Sequence, residues 1–582
     1  MKQRTRSKLS RTALPLVGAL ALAAACGPGA DEASTRTGAD AASAPPPPAA
    51  TLAAISADSL RAAVAVLAHD SLEGRAPGTS GEQKTIRFLT RQFEALGLEP
   101  GNEGSWTQDV PLVSLTPDPD MALTITGEDG TETLAHKADF VATTEQVVER
   151  TSLDESELVF VGYGIVAPEY GWNDYDGIDA EGKTVVILVN DPGYATEDAS
   201  LFNGRAMTYY GRWTYKYEEA ARQGAAGALI VHRTGPAGYP WGVVENGWSG
   251  PQFGLAEPGD APLLEAGGWI TEDAARRLFE RAGLEFDALD RAALTAEFAA
   301  VPLGLTASLA IENTIERSES PNFLAVLPGA ERPDEYVIYT AHYDHFGVDP
   351  GLEGDSIYNG ARDNATGTAG LIEIARAFRT AADAGQPPER SVMFLAVTAE
   401  EQGLLGSAYY ATHPVVPLEQ TAAVVNMDAL NTWGATNDVT VVGLGNSELD
   451  DYARAAAEAQ GRTIIPDPEP EKGYYFRSDH FEFAKQGVPA LYTDPGIDMA
   501  EGGEDRGRAE LAAYNEERYH QPSDELDAAW DLSGAVQDLE FFFRVGWMVA
   551  NQAAWPNWSE DSEFRALRDA MMGRTRAESS AY

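Results

Sequence analysis

Two hydrophobic periodicities alternate along this chain. In GEQKTIRFLTRQFEALGLEP, Ile86, Leu89, Phe93 and Leu96 recur at three- and four-residue spacing, which predicts a helix with one apolar face. Gly97 supplies a stop and Pro100 lies just beyond it. From about 151 to 304 the runs become short and β-branched. ELVFVGYGIV, KTVVILVN and GALIVHR read as strands, and YKYEEAARQGAAG as a helix leading into the third of them. From about 311 a strand–loop–helix pattern repeats. EYVIYTAHYDH, SVMFLAVTAEE and TAAVVNMDAL are strands, the last two with acidic ends, and GTAGLIEIARAFRTA and LLGSAYYATH are helices. This alternation predicts an α/β fold, a mostly parallel mixed sheet flanked by helices. A small α/β domain at 151–304 is inserted between residues 56–150 and 305–560 of the main domain. Residues 561–582 are read as a C-terminal tail.

The N-terminus has a different character. MKQRTRSKL is basic, ALPLVGALALAAA is apolar but short for a permanent span, and Cys26 follows small residues. This resembles a bacterial lipoprotein signal covering residues 1–26, with lipidation expected at Cys26. Leu22, where many such signals place leucine one residue later, and an ordinary secretory signal cut nearby are the points that leave lipidation open. Residues 27–55 are rich in Ala, Pro, Gly, Ser and Thr, the composition of a flexible linker with a stiff proline section. The expected location is the cell envelope of a bacterium, exported and lipid-anchored on the periplasmic or outer-membrane face. No second long apolar segment follows, so the mature chain is not expected to span a membrane.

Composition narrows the chemistry. The formal net charge is -48 over 582 residues. A surface of that sign repels nucleic acid and anionic lipid, so nucleic acid is not an expected partner. Cys26 is the single cysteine, which excludes a disulfide framework and a multi-cysteine zinc site. The octapeptide GIDAEGKT, Gly177 to Thr184, matches the phosphate-loop pattern. A phosphate loop follows a buried strand and opens a helix. Here GWNDYD precedes it and VVILVN follows, so it reads as a turn entering a strand.

In open α/β sheets, ligands bind beyond the carboxyl ends of the strands. Those ends carry His342 and Asp344, then Glu400 and Glu401, then Asp428. Asp363 stands in NGARDNATGT before a helix, and His520 in the late loop RYHQPSDE. Taken singly, each carboxylate is a solvated loop residue or helix cap, and each histidine a structural one. Taken together, imidazoles and carboxylates without thiolate suit a divalent metal such as zinc. Two metals roughly 3.5–4 Å apart need a bridging carboxylate, and the Glu400–Glu401 doublet offers one group as ligand and one as general base.

AHYDHFG, NGARDNATGTAGLIEIARAF, TAEEQGLLGSAYY, NMD and YHQPSDE resemble the cocatalytic zinc aminopeptidases of metallopeptidase family twenty-eight, which includes glutamate carboxypeptidase relatives. The stretch VGYGIVAPEYGWNDYDGIDAEGKTVVILV is similar to the protease-associated domain. The resemblance implies an exopeptidase that cuts N-terminal residues from peptides by a two-metal hydroxide mechanism, and the N-terminal signal makes it an exported one. It implies two Zn2+ ions, one held by His342 and Asp428, the other by Glu401 and His520, with Asp363 between them. Glu400 would be the general base, Tyr519 would stabilise the oxyanion, and Asp344 would orient His342 through its other ring nitrogen. Arg362 stands where many relatives carry Asp, and His480 in FRSDHFEFAKQGVPA is expected as a hydrogen-bonding pocket residue.

Alternatives are a carboxypeptidase of the same family, a glutaminyl cyclase-like enzyme with one zinc, and a catalytically silent, receptor-like binding protein. The full ligand set and the insert weigh against the last two. Carboxypeptidase action on acidic residues would need a basic patch in the pocket. The aromatic loops YYGRWTYKY and YPWGVVENGW are expected to line the entrance, with ordinary packing inside the insert as the competing reading. Oligomeric state is not legible.

Overall fold

The computed structural model describes residues 46–257, 259 and 261–579. The signal segment and most of the linker lie outside the described residues. Four strands, Arg390–Val397, Arg332–His342, Thr421–Asn426 and Ala490–Asp494, lie side by side and parallel. Asp438–Val442 continues the sheet antiparallel beyond Ala490–Asp494, and Thr463–Pro466 forms that edge. The mixed, mostly parallel sheet is thus the one the alternating pattern predicts.

Side-chain alternation along each strand places apolar groups on both faces. Val337, Tyr339 and Ala341 join a core with helices Ala57–Leu67, Thr366–Asp383 and Ser533–Ala550. Ile338, Met393, Leu395 and Val424 point the other way, toward Tyr410 and Phe483 of helices Leu405–Thr412 and His480–Lys485. Helix Ser533–Ala550 comes very close to the sheet. The Tyr339 hydroxyl donates to Phe542 O at 2.9 Å, and a Cβ added at Gly546 would sit 1.8 Å from that hydroxyl oxygen.

The helix expected near residue 81 spans Ser80–Ala95, with the Thr79 side chain accepting from Glu82 N and Phe88, Leu89 and Phe93 buried. Ala50–Leu67 is long and apolar enough by composition to cross a membrane. It is instead two helices, Ala49–Leu52 and Ala57–Leu67, and Leu60, Val64 and Leu67 are buried in the main core.

A second sheet forms a smaller unit. Arg150–Phe160, Thr184–Leu188, Gly227–His232 and Ala266–Thr271 are parallel neighbours. The 27-residue strand Val301–Leu327 joins the two sheets. Its first part pairs with Arg150–Phe160, its middle with Thr107–Pro117 and its end with Arg390–Val397. The smaller unit's core runs from Met121 to Ile311, wider than the 151–304 span read from composition. The extra strands, Ala122–Gly127, Gly130–Ala135 and Phe140–Thr143, pair with each other or with Val301–Leu327 and Ala266–Thr271, far along the chain. Gly177–Thr184 is turn followed by the buried strand Thr184–Leu188, so the phosphate-loop match has no helix to open. The segment read as a tail holds the helix Arg565–Ser579, and buried Arg568 donates to Thr421 O at 2.9 Å.

Candidate active site

Each expected site residue stands at or just past the carboxyl end of a sheet strand, or on a loop folded over that edge. His342 ends Arg332–His342, Glu400 and Glu401 follow Arg390–Val397, and Asp428 follows Thr421–Asn426. Three of these turns hold non-glycine residues at positive φ: Ala399 at 53°, Ala429 at 58° and His520 at 57°. The left-handed region costs a non-glycine residue on the order of 1–2 kcal/mol, and such strain concentrates where geometry is over-determined by surroundings.

Side-chain atoms converge from these turns. His342 Nε2 lies 3.3 Å from Asp428 Oδ1, 3.3 Å from Asp363 Oδ1 and 3.8 Å from Glu400 Oε2. His520 Nε2 lies 3.4 Å from Asp363 Oδ2 and 3.3 Å from Glu401 Oε2. Asp363 therefore turns one oxygen to each histidine. Tyr519 stacks on His520 with ring centroids 3.7 Å apart and is 46 % exposed, at the open side of the site.

The expected role of Asp344 changes in detail. Its carboxylate Oδ1 is 3.8 Å from His342 Nδ1, whereas its own carbonyl oxygen is closer, at 3.3 Å. The carboxylate instead accepts the backbone N–H groups of Glu400, at 3.1 Å, and Glu401, at 3.4 Å. Asp344 follows the strand by two residues, so its backbone reaches the ring while its side chain ties down the neighbouring turn.

The electrostatics call for a cation. Among the described residues, no Lys or Arg pairs with Asp363, Glu400, Glu401 or Asp428, whose ion pairs are all with imidazoles. Burial, then the charges of Asp428, Asp479 and Asp363, push the Glu400 carboxyl well above its usual range against the pull of His342. Burial followed by Asp363 and Glu400 does the same to Glu401. Burial opposes charge on His342, yet Glu400 and Asp428 outweigh it and hold the imidazole pKa well above its usual value. The cluster so retains protons where a divalent ion would supply charge. Donor atoms of His342, Asp363 and Asp428 lie within 4.8 Å of one another, as do those of His342, Glu400 and Glu401, and those of His345, Asp363 and Glu401. Imidazole nitrogen and carboxylate oxygen without sulfur fit zinc.

The site opens into a cleft of about 1880 Å³ walled by both units. Tyr209, Trp213 and Trp248 come from the smaller unit, and Trp433, Tyr514 and Arg477 from the larger. Trp241 is not on this wall; its indole N–H donates to Lys137 O at 2.8 Å and its ring meets that of His232. Its expected place at the entrance is thus corrected to packing inside the smaller unit. His480 is also displaced from expectation. It is buried between the rings of Tyr475 and Tyr492 and not on the cleft wall, and burial lowers its pKa to about 3 against the pull of the Tyr475 backbone.

The match to known proteins falls on this same edge of the sheet. Residues 322–542 match the model for "Peptidase family M28". This segment is a Peptidase family M28 domain. Mouse "Aminopeptidase NAALADL1" is 36% identical over 129 residues, which is 22% of this chain and 16% of the mouse protein. "Aminopeptidase YwaD" of Bacillus subtilis is 29% identical over 206 residues, 34% of this chain and 41% of its own length. The chain thus spans less than half the length of either relative. The solved "Aminopeptidase from Aneurinibacillus sp. strain AM-1" aligns with 88% of this chain and 98% of its own, at 19% identity and a TM-score of 0.47.

The M28 domain also contains buried residues that the motif reading passed over. Asp524 accepts the backbone N–H of Asp363 at 3.0 Å and that of Arg362 at 3.1 Å. Ser478 donates to Asp428 Oδ2 at 2.7 Å, and His345 Nδ1 hydrogen-bonds Glu401 Oε1. All three lie inside stretches quoted for the resemblance, but nothing in one dimension says which oxygen each will meet. Arg75, outside the M28 segment, donates to Tyr343 O at 2.7 Å and Gly360 O at 3.0 Å, holding the loops that bear His342 and Asp363 together. Arg362 removes no donor. Its guanidinium lies over Trp433 and Tyr514 and donates to Ala429 O and Leu430 O.

Proposed function

We propose that this chain is an exported, zinc-dependent exopeptidase that releases N-terminal residues from peptides with two metal ions. The observation that carries the reading is Asp363, whose Oδ1 is 3.3 Å from His342 Nε2 and whose Oδ2 is 3.4 Å from His520 Nε2. One carboxylate shared between two imidazole–carboxylate groups is the arrangement a two-metal site requires. His342 and Asp428 would hold one ion and Glu401 and His520 the other, with Asp363 available to both. When bound, the ions supply Lewis-acid polarisation of a peptide carbonyl and raise the acidity of water.

The chain's own residues do the rest. Glu400, fixed at its backbone by Asp344, takes the proton of the attacking water and returns it to the leaving amine. Tyr519 keeps its proton, because the burial of its site-facing side and then the charge of Asp363 push its pKa above the phenol range, and it donates to the developing oxyanion. The smaller unit, similar in sequence to the protease-associated domain, walls the approach. The relatives' printed names support aminopeptidase action, and the N-terminal sequence supports export with a lipid anchor at Cys26.

A second reading, carboxypeptidase action, has a specific observation in its favour. Arg212 of the smaller unit and Arg477 of the larger both line the cleft. Burial, then repulsion from Arg477, lowers the Arg212 pKa to about 10, and its Nε has no hydrogen-bond partner among the described residues. This is the basic patch that such an activity needs.

Metal analysis with a panel of aminoacyl and carboxy-terminal substrates decides between them. Two zinc equivalents and release of N-terminal residues are expected. Release of C-terminal residues alone would replace the first reading with the second. Glu400→Gln should lower kcat roughly 10²–10⁴-fold with metal content retained. Near-normal kcat, or loss of both metals, would remove Glu400 from the role of base.

A further inference from the structure

His345 is fully buried beside the site, and the metal-ligand assignment leaves it without a task. Its position is tightly determined. Gly360, at φ 51°, presses against the ring so closely that a Cβ there would stand 2.6 Å from His345 Cγ. Phe346 packs edge-on at 4.9 Å between centroids, and His520 lies 6.0 Å away. Within this cage Nδ1 meets Glu401 Oε1, while Nε2 has no hydrogen-bond partner among the described residues.

Two lone pairs do not approach to hydrogen-bond distance, so the Nδ1–Oε1 contact requires a proton between the atoms. A carboxylate that binds a metal must be ionised, so in the metal-loaded site Glu401 accepts and His345 is the donor at Nδ1. Nδ1 is then not free to donate electrons to a metal. Glu401 is held twice, at its backbone N–H by Asp344 Oδ2 at 3.4 Å and at Oε1 by His345. Its remaining oxygen, Oε2, is the one 3.3 Å from His520 Nε2. A carboxylate with both oxygens free can rotate or bind through both; one clamped at Oε1 offers a single oxygen in one direction.

We propose that His345 is a positioning residue for the second metal site, fixing Glu401 through an Nδ1–H donor so that only Oε2 is presented beside His520 and Asp363. The inference rests on the two-metal reading above. Outer partners of this kind typically change metal affinity about 10–100-fold when removed.

Stepwise zinc titration of the metal-free full chain, followed by calorimetry, tests it without reference to turnover. His345→Phe keeps an aromatic ring and removes the donor. His345→Asn places an amide N–H near the Nδ1 position. The expected result is an affinity for the second equivalent about 10–100-fold weaker in His345→Phe, an unchanged first equivalent, and recovery to within a few-fold in His345→Asn. Wild-type affinity for both equivalents in His345→Phe overturns the inference and leaves the proposed function standing. Equal loss in both variants also overturns it, because the donor would not matter. A wild-type chain that binds fewer than two equivalents takes both readings down. Should His345→Phe fail to fold, nitrogen-15 histidine spectra of the wild-type protein report the tautomer directly, in a chain with 8 histidines. An Nδ1–H tautomer at His345 is expected, and an Nε2–H tautomer refutes the clamp.

Discussion

Asp363 and His342 set the chemistry at the scale of single residues, and they do so by competing for protons. In the metal-free cluster, carboxylates outweigh burial and keep a proton on His342 to well above the usual imidazole range. Asp363 is held well below its range: burial opposes ionisation, but hydrogen bonds from His342 and His520 prevail. A metal must therefore displace the His342 proton before Nε2 can donate. Its pKa is raised, so the protonated, metal-refusing form dominates as pH falls. Apparent zinc affinity should rise by about tenfold per pH unit for each proton displaced, at pH values below the raised pKa of His342, and level off above it. Competition titrations at several pH values, with proton release measured by calorimetry in buffers of different ionisation enthalpy, check this. A flat profile with no proton released would mean that His342 is already neutral.

Elements meet through close contacts that propensity does not anticipate. Gly546 lies within helix Ser533–Ala550, where alanine would ordinarily stabilise by about 1 kcal/mol. A Cβ there would stand 1.8 Å from the Tyr339 hydroxyl oxygen, which itself donates to Phe542 O. Overpacking of this kind costs about 1–3 kcal/mol, so the clash wins and Gly546→Ala should lower the thermal unfolding midpoint. In a Tyr339→Phe background, which removes the oxygen, the same change should cost less. Strict additivity of the two substitutions would show that the hydroxyl is not the obstacle.

The whole molecule brings a wall of the smaller unit to an edge of the larger one. Trp248 lines the shared cleft and packs with Trp213 and Tyr217, whereas Trp241 is tied to Lys137 away from it. Both tryptophans lie in one aromatic loop, yet they should behave differently. Trp248→Ala should alter KM and the preference between short and long peptides several-fold at unchanged zinc content. Trp241→Ala should lower thermal stability and leave that preference intact. Unchanged kinetics in Trp248→Ala would take this loop out of the substrate path.

Local pattern by itself determined the strand and helix order of the catalytic region. Apolar runs such as EYVIYTAHYDH must be buried on both faces, and the helices between them make the sheet parallel. The same pattern delivered His342, Glu400, Glu401 and Asp428 to one edge, because each ends or closely follows one of three parallel strands. It also disposed of GIDAEGKT, where β-branched residues follow the turn. Tertiary structure alone decided which oxygen faces which nitrogen. His345, Asp524 and Ser478 were visible as letters, but their partners Glu401, Asp363 and Asp428 lie 56, 161 and 50 residues away. It also decided the reach of the smaller unit, since Ala122–Gly127 pairs with residues near 307, far along the chain. Composition and periodicity report what a segment must bury, and not which distant segment will cover it.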